Sequence, residues 1–542
     1  MAVKKKEFDI AGFMLSLVAD VYILLILAGM PFYFTEGYGR IGTNKYQFFH
    51  SVTTSVGWIF IFVLVLALLV KICETVGRSK GVKGLNLQTV VGTIRKKMSL
   101  TDWFAVIYGV ALGLSYLHTE YRGDTAYGNA WSGSNGWYMG FETQMLLLTV
   151  YFVISRVWRP KKWILCAGMM AGFIVFLLGY CNRFNLYPIK MEYASPAFIS
   201  TIGNINWFCG YTVTVLFAVL YYWWVDQEKK AWVKWMLTVY CLVGFAALLT
   251  QGSSSGFLAL LTVGVLLYLL SVKQGEKMQN FWLMLIMLGG MGTVTMLLRH
   301  LFPDRFQYKE IVVDIATYTL VPVVILAIGT GMYVLVGFLN RKGKYPGEVF
   351  SQIGRVGVVA AGVLLLLVVA GIVINTLAPG SLGRLSEVSL FTFNETWGSH
   401  RGATYMAGIQ VWLDQDFWGK LLGVGPDCMA MYIHGGSNQE LMTMVQRIWG
   451  TSTMLTNAHC EWLTMLVNVG VLGLIGFAGM MVSAMVRFIK AGKYIGIAGA
   501  CGVGIFAYTV NNVVSFQQAM ATVTMFVILG IGEAYMRREE RK

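Results

Sequence analysis

Residues 356–375 read VGVVAAGVLLLLVVAGIVIN, a run without one charged side chain. A helix of that length crosses a hydrocarbon layer of ~30 Å. Backbone in lipid must satisfy its own hydrogen bonds, and the run lacks the alternation of a barrel strand, so it reads as a membrane helix. Working outward, comparable runs lie near 11–31, 51–71, 101–118, 139–157, 163–181, 204–224, 235–250, 256–272, 281–299, 311–339, 456–482, 494–512 and 519–536. The expected fold is all-α, a polytopic transmembrane bundle of about 14 spans. Its parts are 1–375 with about 11 spans, a polar loop over 376–455, and 456–542 with about 3 spans. No internal repeat marks two related halves.

Composition agrees. Of 542 residues, 56% are hydrophobic and 13% charged, and the mean hydropathy is +0.62, which excludes a soluble protein. The net charge of +15 could suggest nucleic acid. Its placement argues against that partner, because the basic residues gather in alternate loops: 71–97, Arg156 to Lys162, Arg341 to Lys344, Arg487 to Lys493, and Arg537-Arg538. That bias puts both termini in the cytoplasm and 376–455 on the outer side of the cytoplasmic membrane. Lys4-Lys5-Lys6 and the long run after it read as a retained first span rather than a cleaved leader. The Lys-rich 71–100 segment reads as an anchor on anionic lipid heads.

Within the polar loop, Ser399 is the expected N-cap of a helix over 400–413. That helix sets Arg401, Thr404, Tyr405, Gly408 and Trp412 on one face, and Met406, Ile409 and Leu413 on another that could rest on the bundle. Gly423, Gly425 and Pro426 then force a turn.

Four places carry chemistry. His459 follows Asn457, the expected cap of the next span; the helix end favours a neutral imidazole while Glu461 opposes it, and the competing role is packing. Arg401 suits a bidentate phosphate contact, or a salt bridge to Glu395, Asp414 or Asp416. Arg299, Arg305, Arg384 and Arg447 share that ambiguity. In Thr201-Ile202-Gly203-Asn204-Ile205-Asn206, capping accounts for one asparagine but not easily for both. In Gln251-Gly252-Ser253-Ser254-Ser255-Gly256, turn chemistry accounts for most of the cluster. No H-E-x-x-H, P-loop or paired-cysteine spacing occurs, and Asp414, Asp416 and Asp427 lack metal spacing, so neither metal nor cofactor is expected. The eight cysteines lie apart, and Cys428 and Cys460 could meet, with buried filler the default.

Taken in order, these pieces resemble the O-antigen ligase and O-antigen polymerase superfamily of bacterial surface-glycan assembly. The resemblance covers roughly 200–515 and rests on Gly203-Asn204-Ile205-Asn206, the turn 253–256, Arg401 through Trp412, and Leu422-Gly423-Val424-Gly425-Pro426. It ends on Asn457-Ala458-His459 leading into Leu463 and Gly470-Val471-Leu472-Gly473. It implies a GT-C-type membrane glycosyltransferase acting on a glycan carried by undecaprenyl diphosphate. His459 becomes the general base for an acceptor hydroxyl, on a glycan or a lipid, and Arg401 the partner of the donor diphosphate. Asn204, Asn206, Ser254, Ser255, Trp412, Gly423, Gly425 and Asn457 become substrate-binding positions. A flippase and a chain-length regulator are the implied protein partners. Where the family carries an arginine in the Ser-rich turn this chain has Ser254, and Arg299, Arg305 and Arg447 are the candidates to replace it.

The chemistry is coherent without the family, since fixed cations stabilise a departing diphosphate and a neutral histidine can take a hydroxyl proton. Attack opposite the leaving group inverts the anomeric centre. Polymerase and ligase share these motifs, and the family prior favours the polymerase. The alternative class is a transporter such as a lipid-linked oligosaccharide flippase.

Overall fold

The computed structural model describes residues 10–77, 98–226 and 230–540. The Lys4-Lys5-Lys6 start and most of the expected lipid anchor over 71–100 lie outside the described residues. Among the described residues twelve helices are long and apolar enough to cross a membrane, so the chain is a multi-pass helical membrane protein. The expected spans near 139–157 and 494–512 are also helices, Phe141–Val157 and Gly496–Asn511, but shorter at 17 and 16 residues.

Burial ranks the helices. Ile205–Val225 and Ala519–Glu539 have 83% and 89% of their apolar windows buried, so they form the centre. Gly347–Leu377 and Ile41–Leu69 have only 6% buried, so they form the periphery, with apolar side chains turned outward as lipid requires.

Two boundaries differ from expectation. The run 311–339 is broken into Ile311–Thr317 and Val321–Arg341, with Pro322 opening the second helix. Pro fits the first helical turn because its missing N–H has no partner there anyway. Asp314 is drawn to Arg299 Nη2 at 2.7 Å, holding the short helix against its neighbour. The last long helix starts at Glu461 rather than near 456 and continues to Ala491.

That helix is interrupted at Gly470, whose φ of 69° breaks the α-helical ladder. The turn Gly423-Val424-Gly425 covers the break. Val424 N donates to Val467 O at 2.9 Å and Gly425 N to Asn468 O at 3.1 Å. Ser115 Oγ donates to Asn468 O and Thr119 Oγ1 to Val424 O. The carbonyls freed by the kink are thus satisfied, as buried backbone demands.

One group of charges buried in the bundle is mutually paired. Asp102 meets Arg156 and Arg537, and Glu533 meets Arg487 at 2.7 Å. Arg487 lies 26 residues after Glu461, roughly 40 Å along the helix at 1.5 Å per residue. This compensated network therefore sits at the far end of the bundle from the segment 376–455.

That segment folds as short helices, Trp397–Leu413, Phe417–Leu422, Met429–His434 and Gln439–Trp449, around a second apolar core containing Ala407, Val411, Met429, Val445 and Ala458. Asp427 clamps it to the loop 128–139, accepting from Ser134 N at 2.8 Å and Met139 N at 3.1 Å.

Candidate active site

The first helix of the segment carries Arg401, and its entry is unusual. Gly398, Ser399 and His400 all take left-handed φ, between 58° and 67°, before regular helix begins. Ser399 is therefore part of a tight left-handed turn and not the expected N-cap. The packing face also differs from expectation. Met406, Ile409 and Leu413 are exposed, and Ala403, Ala407 and Val411 are buried instead. Gly408 lets the helix approach the strand of chain before Glu461, since an added Cβ would come within 3.1 Å of Ala458 and Leu463. Thr404 Oγ1 donates to Ala458 O at 3.0 Å, fixing the register.

The chain at 456–460 is held from both sides. Ala458 N donates to Thr464 Oγ1 at 3.1 Å, and His459 N donates to Asn457 Oδ1 at 3.0 Å. Asn457 thus makes an Asx turn rather than capping the helix, whose cap position is Cys460. The turn sets His459 at φ 50°, a left-handed conformation that costs a non-glycine residue about 1 kcal/mol. Its ring lies edge-on to Phe516 with centroids 4.8 Å apart.

These two pieces and the N-terminal ends of Ile205–Val225 and Ser254–Ser271 line one cleft of about 410 Å³. Arg401, His459, Asn206, Ser254 and Asn457 all line it, joined by Trp137, Ser253, Tyr308, Glu310, His400, Trp449 and Thr453. Residues more than 250 apart in sequence thus meet at one end of the bundle.

The electrostatics are distinctive. Each of the three acids that the sequence offered to Arg401 is engaged elsewhere: Glu395 with Arg447, Asp414 with Gln410, Tyr432 and Asn438, and Asp416 with Gly419 N. Among the described residues Arg401 has no carboxylate partner; its Nε is buried and unbonded, and Nη1 reaches only Gly398 O at 3.4 Å. An unanswered guanidinium facing a cleft is an anion site in waiting. Burial, and then the Arg401 charge, pull the His459 imidazole down from 6.5 to about 4. The ring is neutral at physiological pH, and among the described residues neither nitrogen has a hydrogen-bond partner. A neutral acceptor beside a fixed cation can take a proton from a hydroxyl whose partner group carries negative charge.

The other expected site residues sort by geometry. Asn204 caps Ile205–Val225 by accepting from Asn206 N at 2.9 Å, which leaves the Asn206 side chain for the cleft. Ser255 turns inward to Ser253 Oγ at 2.8 Å, while Ser254 faces the cleft. Trp412 does not reach the cleft; its Nε1 donates to Lys420 O and its ring packs on the second core. Gly423 and Gly425 are packing glycines, since a Cβ at Gly423 would strike the Asn468 backbone and one at Gly425 would strike Thr119 and Cys428. None of the candidate replacement arginines lines the cleft. Arg299 holds Asp314 and Thr317, Arg447 is exposed and paired with Glu395, and Arg305 lines a neighbouring pocket. Cys428 and Cys460 are both free thiols.

Sequence reasoning missed Glu310, the one carboxylate lining the cleft among the described residues, and Tyr308 beside it. It also missed Arg183. This buried guanidinium donates to Thr250 O at 2.7 Å, Gln251 O at 2.6 Å and Pro196 O at 2.7 Å, holding the Ser-rich turn from behind. A basic residue at the end of the Lys162–Arg183 helix was the available signal.

No protein-family model matches the chain, and no curated protein matches it.

Proposed function

We propose that the protein is a membrane glycosyltransferase that consumes a glycan on undecaprenyl diphosphate at the outer face of the cytoplasmic membrane, as a surface-polysaccharide polymerase in preference to a ligase. The observation that carries this reading is the meeting of Arg401 and His459 in one cleft where, among the described residues, the cation has no acid and the imidazole nitrogens have no hydrogen-bond partner. Arg401 binds the donor diphosphate and stabilises the charge that develops as the anomeric C–O bond breaks. His459 takes the acceptor hydroxyl proton as that oxygen attacks the opposite face, giving inversion. Asn206, Ser254 and Asn457 offer neutral hydrogen bonds to sugar or phosphate oxygens.

The transporter alternative has less support. The paired charges Asp102, Arg487, Glu533 and Arg537 lie at the far end of the bundle, whereas Arg401 and His459 face the cleft without such partners among the described residues. Reconstitution in vesicles with lipid-linked repeat units separates the two. Elongated glycan on the lipid supports the enzyme; translocation with no new glycosidic bond overturns it.

A further inference from the structure

Beside the cleft, and sharing Tyr308 with it, lies a second polar pocket that the transfer chemistry does not use. Arg183 forms its floor and Arg305 its rim, with Asn185, Gln307 and Ser195 around them. No carboxylate lines it. Arg183 is 4% exposed, and among the described residues it has no acid partner. Its three bonds to main-chain carbonyls hold the guanidinium at the end of the Ala231–Thr250 helix, and the Tyr308 ring stacks on it at 3.9 Å. Those dipoles orient the cation without cancelling its charge, and a buried charge left unanswered is costly. Among the described residues Arg299, Arg487 and Arg537 have the acids Asp314, Glu533 and Asp102, whereas Lys45, like Arg183, bonds only main-chain carbonyls; Arg183 differs from Lys45 in having a second cation, Arg305, on the same pocket. Arg305 is exposed and, among the described residues, makes no ion pair with its neighbour Asp304 or any other acid.

We infer that this pocket is an oxyanion subsite that binds an acidic substituent, a carboxylate or a phosphate, on the glycan whose reducing end occupies the neighbouring cleft. Only the identity of the ligand as a glycan rests on the proposed function; the anion site rests on Arg183 and Arg305. The two arginines supply charge and directed N–H groups, and Asn185, Gln307 and Ser195 supply neutral contacts to the sugar. Tyr308 forms the wall between the two sites, so a repeat unit with its diphosphate on Arg401 would place a nearby sugar over Arg305.

The test uses the full chain in lipid nanodiscs and three probes: glucuronate, glucose 6-phosphate and neutral glucose. Both anions should bind about tenfold or more tightly than glucose, the difference one charged hydrogen bond supplies. Part of that preference should survive in Arg401→Gln, which removes the diphosphate site, and adding Arg305→Gln to Arg401→Gln should erase what remains. Arg305 is exposed, so its replacement leaves the fold intact even if Arg183→Gln does not. A tighter glucuronate identifies a uronic acid, and a tighter glucose 6-phosphate a phosphate substituent. A preference in Arg401→Gln that is unchanged by adding Arg305→Gln, or one lost with Arg401→Gln alone, overturns the inference. Neither outcome touches glycan transfer, which is read by bond formation and depends on Arg401 and His459.

Discussion

The protonation of His459 is the most quantitative consequence of the site. A histidine in water titrates near 6.5, and His459 is drawn to about 4, first by burial and then by Arg401. That difference favours the neutral ring by about 3 kcal/mol. The sign is fixed by linkage: the folded state resists protonation, so the contribution to stability is whole above pH 6.5 and is lost as pH falls from 6.5 to about 4. The acid limb of kcat/KM should accordingly lie near 4, with activity level between pH 5 and 7. A bound diphosphate places negative charge beside the ring, so the limb of kcat should lie higher than that of kcat/KM. Arg401→Gln removes the cation and should move the histidine upward. Titration of ring-labelled histidine by NMR reads this directly, with His459→Gln assigning one of the six histidines. A His459 ring that is half-protonated near pH 6.5 in wild type, or unmoved in Arg401→Gln, would refute the reasoning.

Other outcomes follow from the same contacts. Asp427, buried between Ser134 and Met139, has its carboxyl pushed up by burial to about 7, so its contribution to stability falls as pH rises from about 4 to 7. Asp427→Asn should abolish that component, so the melting temperature of the variant should fall less than that of wild type as pH rises over the window. Gly408→Val should push the Arg401 helix off Ala458 and Leu463, costing about 1–3 kcal/mol in thermal unfolding. Gly470→Ala and Gly423→Ala each place a Cβ against backbone at a left-handed glycine, and each should cost about 3 kcal/mol or more, seen as lost folded yield. Arg447→Ala breaks only an exposed ion pair with Glu395 and should change stability by less than about 1 kcal/mol and leave transfer intact.

The bundle was legible because lipid leaves the backbone few choices, and uninterrupted apolar length reports a helix directly. Its misreadings fall where a tertiary partner decides. The 311–339 run breaks just before Pro322, a local signal, but the packing of its first piece on Arg299 through Asp314 is an interaction no local pattern reveals. Arg401, His459, Asn206, Ser254 and Asn457 stood out because polar groups at span ends have few structural uses, and the fold brings all five to one cleft. Gly423 and Gly425 misled, because a glycine that admits a substrate and a glycine that admits a neighbouring backbone look the same in sequence. Ser399 has a capping residue's chemistry but sits in a left-handed turn, so its side chain never meets the helix end. Arg183, signalled only by a basic helix end, and Glu310 were passed over for a different reason. Each acts at a place assembled from distant segments, and nothing near them in the chain distinguishes them from a basic or acidic span end.

The central claim is that an unpaired guanidinium and a neutral imidazole act together on a lipid-linked glycan. Purified protein given an undecaprenyl-diphosphate-linked repeat unit tests it most directly, with glycosidic bond formation measured for wild type, His459→Ala and Arg401→Ala. The account predicts elongation by wild type and a fall of at least ~10²-fold in each variant, with the protein still folded. Wild-type rates in either variant would contradict it.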